Sequence, residues 1–428
     1  LITLADAQAP LAGTSSTRQV VASPAAKLVS ALLFLTILIS PLVFIEPAPY
    51  EFLVALLGAA CVVARVPFDR RLVPLLVLLV IWNVGGAIAL TGVLDGDKAV
   101  RYAAVSVFMA VSTVIFACLF SEDRVNMWRL QLMERTYIVA AFAVAIIGSL
   151  GYLNAFPGAA DLFAPIGRAQ GTFKDPNVFS PFLILPLLML SYSMLMQGIR
   201  LRRIVAFVGI ALGLLLSFSR GAWVHFAVSA ICMLALMFIT APDTRTRARL
   251  TLLSVLAIVI VSGLIVFALS FDVIGDMFKE RARLIQPYDA GTSQGRFNLQ
   301  QVAISAVLDY PFGLGPYEFG RRHGMQQHNT YLQAFLVYGW AGGFAYLALI
   351  FITLAVGIRA ALARTPWQPY AITALATYIG EVVESFVIDT DHWRHYFLLL
   401  GIIWGTFAAT MRVRSRGNSG GSGAYSSA

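Results

Sequence analysis

Charge is scarce in this chain. Only 12% of its residues are Asp, Glu, Lys or Arg, while 59% are hydrophobic; soluble domains carry about 25% charged and about 45–50% apolar residues. That imbalance excludes an ordinary soluble globular protein and leaves a polytopic membrane protein. Cysteine is scarcer still. Cys61, Cys118 and Cys232 are far apart, each inside an apolar run, so they read as small core residues, with no disulfide framework, no metal set and no information about redox compartment. The N-terminal stretch lacks the basic start and apolar core of a cleavable signal, and the closing GNSGGSGAYSSA reads as a flexible Gly/Ser tail. Both ends are expected to be disordered. The net charge of +9 would suit a nucleic-acid binder, but on a membrane chain an excess of Lys and Arg records which loops stay inside. No nucleic acid partner is expected.

What the chain has in abundance is long apolar runs. A helix needs roughly 20 apolar residues to span the hydrocarbon, and twelve runs meet or approach that length: Lys27–Ile45, Phe52–Val66, Val73–Val93, Val100–Phe120, Tyr137–Ala155, Val178–Gln197, Ile204–Ser217, Ala222–Ala241, Leu250–Phe271, Thr330–Ile358, Pro369–Ile388 and Tyr396–Thr410. The seventh and eighth are separated only by Ser217-Phe218-Ser219-Arg220-Gly221. Loop charge tests this count, because a missed helix inverts every loop after it. Alternate connections carry Arg65, Arg70 and Arg71, then Arg124, Arg129 and Arg135, then Arg200, Arg202 and Arg203, then Arg245, Arg247 and Arg249, then Arg359 and Arg364, and finally Arg412, Arg414 and Arg416. These fall on one side with both termini, which is assigned to the cytoplasm. The other side carries short, often acidic links and two long segments, Asn154–Asn177 and Asp272–Asn329.

The expected organisation is one all-α integral membrane domain: a cytoplasmic tail over 1–26, helices one to nine over 27–271 with an external loop at 155–177, a large external loop or helical subdomain over 272–329, helices ten to twelve over 330–410, and a cytoplasmic flexible tail over 411–428. Within the large loop, Phe271–Arg283 reads as an extension of the ninth helix and Gln286–Gly295 as a loop. After Ser293, the spacing of Leu299, Val302, Ala303, Ala306 and Val307 predicts a short amphipathic helix at the membrane surface, with Arg296 in its first turn. Pro311, Gly313, Gly315 and Pro316 end it and force a tight loop.

The external polar residues are where chemistry in water can take place. His328 precedes the tenth helix in Gln327-His328-Asn329-Thr330-Tyr331-Leu332; an imidazole titrates near neutral pH and serves as a general base, with Asn329 or Gln327 able to fix its tautomer. A helix-capping or interfacial histidine is the competing reading, and the spacing alone favours it. His392 and His395 stand at i and i+3 near Asp389 and Asp391, but a third dependable zinc ligand is missing, so loop anchoring is the default. Arginines come from three segments: Arg168, Arg220 and Arg296, with Arg321 and Arg322 nearby. A guanidinium at the hydrocarbon edge is costly and marks either a substrate path or a fixed partner. Its planar fork suits the oxygens of a pyrophosphate. For Arg220 the competing reading is a salt bridge to Glu381 or Glu384, which are one turn apart in the eleventh helix; for Arg168 and Arg296 it is a solvated loop arginine. Asp175 and Pro176 form a helix start, and Lys174 beside them adds positive charge. Pairing of Glu381 and Glu384 with Arg220 or Arg394 is the simplest expectation. Tyr50, Trp128 and Trp393 read as interfacial belt residues.

The ordered set formed by Ser219-Arg220-Gly221 between two helices, Gly295-Arg296 opening an external helix, the Pro311, Gly313, Gly315 turn, and His328-Asn329 with Tyr331-Leu332 leading into a helix that contains Gly339 resembles the O-antigen ligase family, with its polymerase and pilin-type oligosaccharyltransferase relatives. The resemblance covers about Lys27 to Arg412. It implies a metal-independent, membrane-type (GT-C-like) glycosyltransferase without cofactor in the Gram-negative inner membrane, acting in lipopolysaccharide biosynthesis on the periplasmic face. Polysaccharide would pass from undecaprenyl pyrophosphate to a sugar hydroxyl of lipid A-core. His328 would be the general base. Arg220 and Arg296 would be catalytic and, with Arg168, Lys174, Asn329, Arg321 and Arg322, would bind pyrophosphate and sugar. A monomer in contact with membrane lipids is favoured. Two other readings stand: an O-antigen or exopolysaccharide polymerase of the same superfamily, and a secondary transporter, against which the lack of an internal repeat argues.

Overall fold

The computed structural model describes residues 23–44, 48–122, 126–269 and 295–421. The expected continuation Phe271–Arg283, the loop Gln286–Gly295 up to its last residue, and the outer parts of both tails lie outside the described residues. The helices are α1 (Pro24–Ile39), α2 (Pro49–Val63), α3 (Val73–Ala89), α4 (Gly96–Ser121), α5 (Asn126–Tyr152), α6 (Ala159–Phe163), α7 (Pro176–Phe182), α8 (Ile184–Gln197), α9 (Leu201–Leu216), α10 (Arg220–Thr240), α11 (Thr244–Leu269), α12 (Arg296–Asp309), α13 (Glu318–His323), α14 (Thr330–Ala361), α15 (Gln368–Glu384) and α16 (Arg394–Gly421). There is no strand among the described residues.

A helix lies on each of the twelve apolar runs, and the sixth is divided at Leu183 into α7 and α8. Among the described residues, seven stretches are long and apolar enough to cross a membrane: Arg70–Gly92, Gly96–Ser121, Asn126–Tyr152, Pro176–Gln197, Arg220–Thr240, Thr330–Ala361 and Arg394–Arg416. The helices α1, α2, α9 and α15 have 16, 15, 16 and 17 residues, about 24 Å at 1.5 Å per residue, short of a hydrocarbon core of about 30 Å.

The bundle is built around α16. Of its most apolar window 78% is buried, against 28% for α10, and Trp404, Tyr396 and Phe397 are fully enclosed. It packs most extensively along α4, while α3 follows α14 and α10 follows α15. Close crossing of α3 and α14 depends on Gly85, where a Cβ would sit 2.3 Å from the Tyr338 carbonyl oxygen; small residues let membrane helices approach in this way. At the arginine-loop end, Asp69 ties the start of α3 to α16. Its Oδ2 accepts from Arg412 Nε at 3.1 Å and Nη2 at 2.6 Å, and Arg71 Nη2 donates to Ser415 Oγ at 3.2 Å. Burial opposes charge on Asp69, but the Arg71 N–H and the Arg412 and Arg71 guanidinium groups hold its carboxyl below the usual range. Helix α16 therefore continues beyond Thr410 to Gly421, so the first part of the expected flexible tail is helical.

The break in α14 positions the turn that follows α12. Gly339 has φ 66 and ψ −176 inside the helix, and the carbonyls freed there are taken up by the Pro311–Gly315 turn. Leu314 N and Gly315 N donate to Leu336 O at 2.6 and 3.1 Å, and Trp340 N donates to Pro311 O at 2.8 Å. A Cβ at Gly339 would stand 2.8 Å from the Phe312 carbonyl carbon, so only glycine admits the turn. Helix α12 directly precedes this turn. Its Leu299, Ala303 and Ala306 pack on Leu314, Phe319 and Leu336, as the helical spacing predicts, while Val302 is exposed.

Candidate active site

His328 sits at φ 48, a left-handed backbone costly for a residue with a Cβ and typical of functional corners. Asn329 explains how the corner is held. Its Oδ1 accepts from Tyr331 N at 3.0 Å and Leu332 N at 3.1 Å, capping α14, and its Nδ2 donates to Phe386 O at 3.1 Å. Thr330 adds a second set of links to the loop after α15: Thr330 N donates to Ser385 O at 2.9 Å, and its hydroxyl donates to Ile388 O at 2.7 Å. Expected as a tautomer-fixing or sugar-binding residue, Asn329 is thus occupied as a cap. The partner of His328 is a residue the sequence reading set beside other histidines: Asp389 Oδ2 lies 3.2 Å from His328 Nδ1. With Nδ1 directed at a carboxylate, Nε2 is the nitrogen left for a substrate proton.

The arginine corner is assembled from two loops. Helix α9 ends at Leu216, Phe218 turns through φ 48, and α10 starts at Arg220. The carbonyls at the end of α9 are capped from the 164–175 loop: Ala169 N donates to Leu216 O at 3.0 Å and Arg168 Nε to Ser217 O at 2.7 Å. Arg168 Nη2 also donates to Asn177 Oδ1 at 2.8 Å, an oxygen that takes the Ser219 hydroxyl at 3.0 Å. Arg168 therefore meets the Arg220 corner as a clasp between segments. Asp175 accepts from Asn177 N at 2.7 Å and caps α7 as its sequence signal indicates; Lys174 beside it is exposed.

The two carboxylates expected to neutralise Arg220 or Arg394 face histidines instead, and only Glu384 is hydrogen-bonded. Glu384 Oε2 lies 2.7 Å from His225 Nδ1 deep in the bundle, and His225 Nε2 is 2.9 Å from the Thr377 carbonyl. Glu381 faces His395 at 3.6 Å. Arg394 is paired with Glu51 and lies 4.7 Å over the Tyr50 ring. Tyr50 and Trp393 are consequently buried, contrary to the belt expectation, while Trp128 is exposed. Glu384 still shapes the site, because a Cβ on Gly221 would fall 2.8 Å from its Oε1, which puts the start of α10 against the end of α15. That end continues into the loop holding Thr330 and His328. The Arg220 and His328 corners thus flank one helix end.

Arg296 is the first residue of α12, one turn before Gln300, whose amide donates to His328 O at 3.4 Å and Phe386 O at 3.2 Å. Arg321 and Arg322 are committed locally: Arg321 Nε and Nη2 donate to Glu318 Oε2 at 2.9 and 2.8 Å, and Arg322 Nη1 donates to Tyr310 OH at 2.8 Å. The hydrogen bond from Arg321 holds the Glu318 carboxyl below its usual range despite burial, and Glu318 Oε1 accepts from Leu94 N at 3.2 Å. His392 and His395 turn to different partners, His392 to Asp391 at 3.2 Å and Ser106 at 2.9 Å, so their i, i+3 spacing does not converge. Burial opposes charge on Asp391, yet His392 and the Tyr102 hydroxyl at 2.7 Å keep its carboxyl below the usual range.

Fold and corner together define a multi-pass α-helical membrane protein that gathers a histidine–carboxylate pair and arginine-bearing loops at one end. Residues 205–347, about a third of the chain, match the family model described as O-Antigen ligase. The matched stretch runs from α9 into α14 and holds Arg220, Arg296, Arg321, Arg322 and His328, while Arg168, Lys174 and Asp389 lie outside it. No curated protein matches the chain.

Proposed function

We propose that this protein is an O-antigen ligase that moves polysaccharide from undecaprenyl pyrophosphate to a sugar hydroxyl of lipid A-core on the periplasmic side of the inner membrane. The pairing of His328 with Asp389 at the mouth of α14 carries the reading. Asp389 accepts a hydrogen bond from Nδ1–H and steadies the imidazolium that forms as Nε2 removes the proton of the acceptor hydroxyl. The acceptor oxygen forms a bond to the anomeric carbon as the bond from that carbon to the phosphate oxygen breaks. The electron pair leaves with undecaprenyl pyrophosphate, so no nucleotide is consumed and a single displacement inverts the anomeric centre. Arg220 and Arg296 bind the pyrophosphate and stabilise the charge that grows on it. Arg168 sets the Arg220 corner in place, and Lys174 adds charge at its rim.

Purified protein in vesicles, given undecaprenyl-pyrophosphate polysaccharide and lipid A-core without ATP or divalent metal, should form joined glycolipid. No joined product sinks the assignment. In a strain lacking the protein, free core with accumulated lipid-linked polysaccharide is expected, whereas caps of a single repeat unit mean a polymerase.

A further inference from the structure

Far from this corner, the opposite ends of α10 and α11 enclose a groove of about 370 Å³, lined by Leu234, Phe238 and Ile239 from α10 and by Thr251, Ser254 and Val255 from α11. Its size lies in the range of pockets that hold a small ligand, about 300–1,000 Å³. Its walls are almost wholly apolar, and Phe238, Ile239 and Val255 are exposed along its lip. Among the described elements α11 leans mainly on α10, and among the described residues only these two helices line the seam. In a bilayer an apolar seam of this kind is filled by hydrocarbon.

The mouth of the groove selects which hydrocarbon. Arg245, Arg247 and Arg249 open α11 and are all exposed, and the Arg247 guanidinium lies 5.6 Å over the Phe238 ring, directly above the lining. The acid between the two helices, Asp243, is turned to its own backbone: it accepts from Thr246 N at 2.7 Å and from the Thr246 hydroxyl at 3.1 Å. On α11, Arg247 shares the side of the helix that carries Thr251, Ser254 and Val255 and so faces the slot, while Arg245 and Arg249, on the other side, add positive charge to the same helix end. We propose that this groove binds an anionic phospholipid, with an acyl chain between α10 and α11 and the phosphate headgroup on Arg247, held in the positive field that Arg245 and Arg249 add at the same helix end. Basic clusters beside membrane helices attract acidic lipids by charge alone; here the slot fixes the chain as well and wedges α10, whose far end carries Arg220.

The test is lipid binding to the purified full chain by native mass spectrometry, with phosphatidylglycerol and phosphatidylcholine of the same acyl composition as probes. Phosphatidylglycerol should bind on the order of tenfold more tightly or better. Replacing all three arginines (Arg245→Gln, Arg247→Gln and Arg249→Gln) should remove that preference. Leu234→Trp, which fills the slot and keeps every arginine, should weaken phosphatidylglycerol binding by a similar factor, and Ser254→Leu narrows the same slot from α11 should the Trp variant misfold. Equal binding of the two lipids overturns the proposal. So does wild-type phosphatidylglycerol binding by the slot-filled variants, which would leave surface charge as the whole effect, or full displacement by inorganic phosphate, which would make the site a phosphate site.

Discussion

Replacing Asp389 by Asn tests the His328 geometry most directly, because it keeps the size of the side chain and alters what Nδ1 meets. A hydrogen bond to a charged group is worth about 1.5–3 kcal/mol. The two side chains are 36% and 25% exposed, so water replaces part of the loss and the lower end, about 1.5 kcal/mol, applies, close to tenfold in rate. A second loss adds to it. An Asn amide can donate to Nδ1 and so hold the imidazole in the tautomer whose Nε2 already carries a proton, a fault that in a serine protease triad costs about 10⁴-fold. Turnover of Asp389→Asn should therefore fall at least about tenfold, with donor KM close to wild type. His328→Ala should fall by about 10²–10⁴-fold. The assay is initial rate of joined glycolipid against donor concentration in vesicles. A rate within about twofold of wild type, or a loss confined to donor KM, refutes the pairing as catalytic.

Arg220→Ala should raise donor KM and weaken binding of the lipid-linked pyrophosphate, measured by titration of donor into protein held in vesicles; unchanged donor affinity removes Arg220 from the pyrophosphate site. Gly339→Ala forces a Cβ against the Pro311–Gly315 turn at a positive φ and should cost about 1–3 kcal/mol, seen as a lowered melting temperature, while the same change at exposed Gly263 should not produce that loss. His225→Leu leaves Glu384 without its partner in the bundle interior and should destabilise by about 3–5 kcal/mol; a melting temperature equal to wild type would show that Glu384 is not charged against His225. Glu318 is held below its ordinary range by Arg321, so its contribution is present above the unfolded value of about 4.3 and is lost as pH falls through the lowered folded value. Hydrogen exchange around residues 310–323 should rise in that acid window, and Glu318→Gln should flatten the rise.

The sequence by itself determined the class of protein and the order of its helices. Apolar runs near 20 residues leave the chain no option but to satisfy its backbone internally, and the Ser217–Gly221 interruption, the Pro311–Gly315 turn and the α12 spacing are local signals that the structure carries at those positions. It also singled out His328, because a polar residue at the mouth of an apolar helix is conspicuous without any fold. What only the tertiary structure decided is which groups meet. Asp389 stands 61 residues from His328 and Glu384 stands 159 from His225, and no periodicity encodes a contact across such separations. For the same reason Arg168 reads as a loop arginine in sequence and is a clasp on α9 in space, and Glu384, an expected partner of Arg220, is bonded to His225. Pairing in a membrane bundle is set by which helices pack side by side and by the cost of leaving a buried charge unmatched, and both are properties of the assembled bundle.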